Sequence, residues 1–179
     1  MICIHLAEGF EEIEAITTAD VLKRGGLEVN LVSITKEKMV TGSHNISVVA
    51  DNLITEINYD KCKAIVLPGG MPGTTNLMEN KYLISKIVEF DKERKLLCAL
   101  CAAPMLLEKA GILKDVKATI YEGLECHIKS ANYTNVEVVK DNNIITSKGP
   151  GTAMQFALEI LKELKGNDKY NEVKSSLLF

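Results

Sequence analysis

Apolar and polar positions follow two regimes along this chain. Ile2–Leu6, Ala64–Leu67 and Leu96–Leu100 are short, nearly unbroken apolar runs. They are too short for core helices, and with no polar face they predict strands of a parallel sheet covered on both sides. Glu28–Ile34 predicts a further strand, as do Lys117–Ile120, Val136–Val139 and Asn143–Thr146 later in the chain. Between these runs the spacing changes to that of amphipathic helices. The first is predicted over Ile13–Arg24, with Ile16, Ala19 and Leu22 on one stripe and Gly25-Gly26 as its stop. A second covers Thr74–Lys92, with Leu83, Ile84, Ile87 and Val88 inward, and a third follows "GPGT" and buries Phe156, Ala157, Ile160, Leu161 and Leu164. Gly42–Ala50 reads as a short hairpin arm. The alternation of strand and helix predicts a single α/β domain over residues 1–179, with 166–179 as a loosely specified C-terminal extension.

Composition narrows the function. The chain has 179 residues, 46% of them hydrophobic, enough for one sizeable core. Its 21 basic and 24 acidic side chains leave a net charge of −3, which argues against a nucleic-acid partner and favours a small one. No apolar stretch approaches the ~20 residues that a membrane helix needs. Met1 leads straight into a strand without a signal-like region, so a cytoplasmic location and no membrane partner are expected. The five cysteines, Cys3, Cys62, Cys98, Cys101 and Cys126, show no scaffold spacing, and free thiols are expected.

One thiol stands apart. "LLCALCAAPMLLEKAGIL", residues 96–113, begins with strand character and ends with helix character, and Cys101 is the joint. In an open parallel sheet ligands bind beyond the carboxyl ends of the strands, and a side chain on a sharp strand-to-helix turn projects into that crevice. A helix opening at Pro104 directs its positive end toward the sulfur, so Cys101 is expected to be the most acidic of the five thiols. Cys3, Cys62 and Cys98 read instead as small buried hydrophobes. Cys98 and Cys101 form a C-x-x-C, but three extended residues span roughly 10 Å, beyond the ~7 Å limit for a disulfide. With three scattered histidines and no second ligand pair, neither zinc nor another metal is expected.

Neighbouring strand ends offer partners. In "AIVLPGGMPG" the pair Gly69-Gly70 follows a strand directly and can turn backbone N–H groups toward an oxyanion. "LAEGFEEIEA" places acids at the start of the first helix. Glu8 and Glu11 suit the helix dipole there, while Glu14 is expected to face the neighbouring strand end and Cys101. "SKGPGT" lacks the spacing of a phosphate-binding loop and reads as a turn lining the same crevice.

Taken in order, "LAEGFEEIEA", "DVLKRGG", "VLPGG", "ALCAAP" and "TSKGPGTAMQFAL" resemble the ThiJ/PfpI superfamily, specifically its DJ-one-like branch. The resemblance implies a flavodoxin-like, doubly wound, mostly parallel sheet sandwiched by helices, and a homodimer. It places the reactive cysteine on Cys101, a protonated glutamate partner on Glu14, and backbone donors on Gly70 and Ala102. Gly69 borders that site. Arg24 falls near the dimer-related pocket, and His44 stands where the closest relatives often have arginine. Tyr121 occupies the position at which some members carry a histidine, and His127 follows in the next loop. Ala102 stands where the protease-like branch has histidine, which disfavours proteolysis. The glutamine amidotransferases need a histidine with glutamate two residues on; His5, His44 and His127 are followed there by Ala7, Ile46 and Lys129.

The surviving Cys–Glu pair suits a reactive aldehyde. Thiolate addition to the carbonyl followed by proton transfer between adjacent carbons turns a 2-oxoaldehyde such as methylglyoxal into a 2-hydroxy acid. The resemblance therefore implies a stress-protective, glyoxalase III-type reaction yielding lactate without cofactor or metal, or a related deglycase activity. The competing reading from the same residues is a non-enzymatic redox sensor or chaperone whose Cys101 is oxidised.

Overall fold

The computed structural model describes residues 1–179. The chain opens with β1 (Ile2–Leu6), α1 (Glu12–Arg24) and β2 (Val29–Ser33), then a hairpin of β3 (Met39–Thr41) and β4 (Ser47–Val49), and β5 (Asn52–Leu53). Next come β6 (Ala64–Leu67), α2 (Gly73–Glu79), α3 (Lys81–Lys92), β7 (Leu96–Leu100) and α4 (Pro104–Lys109). The last part holds β8 (Lys117–Ala118), β9 (Asn132–Tyr133), β10 (Val138–Asp141), β11 (Ile144–Ser147), α5 (Ala153–Lys165) and α6 (Asn167–Ser176).

Seven strands form one sheet in the order β10-β11-β7-β6-β1-β2-β5, and only the β10–β11 pair is antiparallel. The period of two in a strand sends alternate apolar residues to opposite faces. Ile2, Ile4, Leu6, Val66, Cys98 and Leu100 pack with α1 and α5. Cys3, Ile65, Leu67, Leu97 and Ala99 pack with α3 and α4. This is the flavodoxin-like, doubly wound sandwich that the family resemblance implies, built on the covered parallel strands that the apolar runs predict. No helix is long and apolar enough to cross a membrane.

Four details differ from the sequence reading. The helix predicted over Thr74–Lys92 is two helices, because Asn80 leaves helical geometry and its side chain accepts from Leu83 N at 2.9 Å, capping α3. Ile84 and Val88 are only partly buried there; Phe90 joins Leu83 and Ile87 inside. On α1, Ile16 is 40% exposed, and Ala15, Thr18, Ala19, Val21 and Leu22 form the inward face. Residues 166–179 are largely helical rather than loose, since Val173 anchors α6 on the α1–α5 side of the core. Finally, Lys117–Ile120 supplies only two strand residues, which pair with β9 outside the main sheet.

From β1 the chain moves to β2 on one side and then returns to β6 on the other. The carboxyl ends of β1, β6 and β7 therefore meet beside a topological switch point, where this architecture leaves a crevice.

Candidate active site

Each of those three strand ends supplies one part of the site. After β7, Cys101 takes a left-handed conformation, φ 61°, which costs an L-residue roughly 1–2 kcal/mol. The backbone is clamped from both sides, since Cys101 N donates to Ser147 O at 2.9 Å and Tyr121 N donates to Cys101 O at 3.0 Å. These bonds hold the strained turn and leave the thiol half-buried at the crevice.

After β6, Gly69 and Gly70 pass so close to the elbow that no side chain fits. A Cβ on Gly69 would lie 2.6 Å from Cys101 Cβ, and one on Gly70 would lie 2.4 Å from Glu11 N. Gly70 is also at φ 88°. Its backbone N–H and that of Ala102 lie on the side of the Cys101 sulfur and favour the thiolate.

After β1, the first turn of α1 carries Glu14 inward, with no exposed surface. Its Oε2 accepts from Gly69 N at 2.7 Å, while Oε1 is buried without a hydrogen-bond partner. The carboxyl and the elbow cysteine both crowd against Gly69, and the neighbouring Cys101 thiol favours the charged carboxylate. Burial raises Glu14 to about 7, against the bonds from Gly69 and Cys101 that favour its charged form.

The thiol itself departs from expectation. Burial, then the charge of Glu14 and its hydrogen bond, push Cys101 up to about 12, and the Gly70 and Ala102 N–H groups only partly oppose them. The helix that was to lower it, α4, has six residues and begins three residues beyond the sulfur. Its dipole is therefore small and distant.

Cys101, Gly70 and Ala102 border a cavity of about 410 Å³ lined also by Glu11, Met71, Tyr121, Leu124 and Pro150, among others, with Glu14 and Gly69 behind that lining. Tyr121 thus reaches the site. His127 does not: it lies in an exposed three-ten turn (Glu125–His127) away from the cavity lining. Arg24 sits at the far end of α1, bonded to Asp20 at 2.7 Å, and does not line the cavity. His44 also lies outside it. His44 Nδ1 meets Glu12 Oε2 at 2.9 Å, and His44 N donates to Glu12 Oε1 at 2.7 Å, so this pair latches the hairpin onto α1. Those bonds outweigh burial and hold Glu12 down at about 2.

Glu11 is the residue sequence reasoning passed over. Its N–H donates to Gly69 O at 2.9 Å, Ser43 Oγ donates to its carboxyl at 3.2 Å, and the residue lines the cavity. Its place in an acidic helix start looked like dipole compensation, and only the proximity of the Gly69-Gly70 turn shows otherwise. His5, by contrast, is a core residue: it meets Tyr59 Oη at 2.7 Å, and burial lowers it to about 4.

The family model described as the DJ-1/PfpI family matches residues 1–163. Protein dj-1beta of Drosophila melanogaster is 37% identical over 178 residues, covering 98% of this chain and 95% of the relative. Protein DJ-1 homolog A of Arabidopsis thaliana is also 37% identical, over 99% of this chain, which spans 46% of that longer protein. Among solved structures, Drosophila melanogaster DJ-1beta superposes with a TM-score of 0.96 at 35% identity, over 99% of this chain and 96% of that one. Oxidized Toxoplasma gondii DJ-1 gives 0.94 at 30% identity, over 99% and 97%. With the elbow, the double-glycine turn and the buried glutamate all in place, these matches settle membership: this chain belongs to the DJ-1/PfpI family.

Proposed function

We propose that the protein is a cysteine-dependent, stress-protective enzyme that converts reactive 2-oxoaldehydes to 2-hydroxy acids, with methylglyoxal to lactate as the representative reaction. The observation that carries this reading is the pairing of a buried carboxyl, poised at about 7, with the elbow thiol above a small cavity. A general base works best with a pKa near the operating pH.

The chemistry needs only these groups. The Glu14 carboxylate takes the thiol proton as the Cys101 sulfur adds to the aldehyde carbon, so burial need not leave a standing thiolate. The oxygen that becomes negative lies near the sulfur, where the N–H groups of Gly70 and Ala102 can receive it, and Glu14 returns the proton to it. Glu14 then removes the remaining hydrogen from the former aldehyde carbon and delivers it to the adjacent carbonyl carbon, while the hydroxyl proton passes from the first oxygen to the second. The resulting 2-hydroxyacyl thioester is hydrolysed by water, releasing the acid and the free thiol. Methylglyoxal plus water gives lactate, with no oxidant, metal or cofactor consumed. The same addition to an aldehyde already condensed with an amine gives deglycase activity.

Purified protein should consume methylglyoxal and release lactate stoichiometrically. Cys101→Ser should abolish this, and Glu14→Gln should lower turnover by ~10²-fold or more, the usual scale for acid–base catalysis. Turnover that survives Cys101→Ser refutes the reading.

A second reading has its own support, because the Toxoplasma gondii relative was solved oxidized. Here Cys101 acts as a redox sensor, its oxidised form held by the Gly70 and Ala102 N–H groups and Glu14. A protein that forms a Cys101 sulfinate under mild peroxide but turns over no aldehyde fits this alternative alone.

The protein is further proposed to act as a homodimer. Ile13 and Ile16 on α1 and Ile46 and Val49 on the hairpin are 55, 40, 58 and 70% exposed, an apolar display on adjoining elements that a second copy would cover. Arg24 and His44 lie on the same two elements and would border the partner's pocket.

A further inference from the structure

The cavity beside Cys101 is larger than the representative substrate needs. It holds about 410 Å³, whereas methylglyoxal displaces roughly 100 Å³ of water and leaves most of that space unfilled. The larger apolar residues of its lining come from three strand ends: Met71 from the turn after β6, Tyr121 and Leu124 from the segment after β8, and Pro150 from the turn after β11. Met71 and Tyr121 are 56 and 48% exposed. Large apolar side chains grouped in the open beside a nucleophile mark a surface that a ligand covers.

Both residues are held in place. Tyr121 N donates to Cys101 O at 3.0 Å, which ties the tyrosine to the elbow itself. Just before it, Thr119 N donates to Thr146 Oγ1 at 2.9 Å and anchors the segment to β11; just after it, Leu124 N donates to Tyr121 O at 3.0 Å and closes a turn. The ring rests against Gly149, where a Cβ would lie 3.2 Å from Tyr121 Cδ2. One ring edge is thus packed on backbone while about half of the residue stays open. Met71 directly follows Gly70 in the cavity lining, and its thioether accepts a weak bond from Thr75 Oγ1 at 4.0 Å.

Once the sulfur has added to the aldehyde carbon, the substituent on the ketone carbon is the part of the substrate left to fill the cavity. A methyl group covers little of the apolar lining. A flat ring matches it, because a tyrosine ring packs favourably on another ring and a thioether packs favourably against an aromatic one. Resting on the aldehyde reading above, we propose that Tyr121 and Met71 form an aryl subsite, so that the preferred substrates are 2-oxoaldehydes whose ketone carbon carries an aromatic ring rather than a methyl group. The bond changes are those already described: phenylglyoxal plus water gives mandelic acid through the same thioester, and no co-reactant is consumed.

The test compares kcat/KM for phenylglyoxal and methylglyoxal in wild type, Tyr121→Ala, Tyr121→Phe and Met71→Ala. Tyr121→Ala should lower the phenylglyoxal value ~10-fold or more beyond any change for methylglyoxal, and Met71→Ala should shift the ratio in the same sense. Tyr121→Phe keeps the ring and should retain the wild-type ratio. A parallel loss on both substrates in Tyr121→Ala, or an unchanged ratio, overturns the subsite. A binding measurement separates this from the aldehyde reading. Cys101→Ser is titrated with acetophenone, an aryl ketone with no aldehyde to react, and with acetone, and the backbone amides are followed by NMR. Saturable shifts at Met71 and Tyr121 with acetophenone alone are expected. If wild type turns over neither aldehyde yet acetophenone gives these shifts, the aldehyde reading fails and the subsite stands. If methylglyoxal is consumed while acetophenone leaves those amides unmoved, the subsite fails and the aldehyde reading stands.

Discussion

Replacing Glu14 by glutamine should change how stability depends on pH. Glu14 has no exposed surface, and its folded-state pKa is about 7 against an ordinary 4.5. Because the folded value is the higher one, the native state favours the neutral acid. Its contribution is intact below 4.5 and is lost as pH rises through about 7. The displacement is worth about 3 kcal/mol across that window. Glutamine is nearly isosteric, its carbonyl can still accept from Gly69 N, and it has no charge to bury. The stability of Glu14→Gln relative to wild type should therefore rise by about 3 kcal/mol between pH 4 and pH 8. Urea unfolding of both proteins at several pH values measures this directly, and groups common to both, Glu12 included, cancel in the difference. If the two curves run parallel across that range, the carboxyl ionises normally and the case for it as a poised base collapses.

Other sites give independent expectations. Gly69→Ala drives a Cβ to within 2.6 Å of Cys101 Cβ and should cost about 1–3 kcal/mol in urea unfolding, with altered iodoacetamide reactivity at Cys101; an unperturbed protein would contradict the close approach. Glu12, held at about 2, secures the hairpin above its ordinary value of 4.5, and that hold is lost as pH falls through about 2. Glu12→Ala should accordingly speed amide exchange at His44 and Ile46 at neutral pH, whereas unchanged protection would show that the hairpin stands without it. Val49→Glu places a charge on the exposed apolar display, and sedimentation should show a dimer becoming a monomer; a monomeric wild type at micromolar concentration would remove the proposed interface.

Much of the fold was legible because its central strands are covered on both sides. Ile2–Leu6 and Leu96–Leu100 could be nothing but buried, and the structure places them as predicted. Elements decided by a single residue were not legible in the same way. Apolar spacing runs on through Asn80, although its cap ends one helix and starts another. In α6 polar residues predominate, and Val173 alone among them is buried, so the hydrophobic pattern carried almost no signal. At the site, Cys101 and the Gly69-Gly70 turn could be found because each closely follows an apolar strand, and Glu14 because it opens the helix after the first one. The distances of Arg24, His44 and His127 from the cavity depend on where α1, the hairpin and the loop after β8 finally pack. Local sequence does not contain that information.

The ionisation of Cys101 is the instructive error, and its resolution bears on the chemistry. From sequence the sulfur has a helix ahead of it and two N–H donors, all favouring thiolate. What sequence does not display is desolvation, which acts on the thiol and the carboxyl together and raises both. Two buried acids in contact resist carrying two negative charges, so near neutrality they hold at most one between them. A nucleophile that needed a permanent thiolate would be impaired by this arrangement. One that forms its bond to carbon while its proton moves to the neighbouring carboxylate is not, because the total charge stays constant throughout the step. The same pairing means that deleting the carboxyl charge must act on the sulfur. Glu14→Gln should therefore shift the Cys101 titration, followed by thiolate absorbance against a Cys101→Ser blank, toward lower pH. A titration that stays in place would show that the carboxyl charge does not act on the thiol, and the shared-charge mechanism would fail with it.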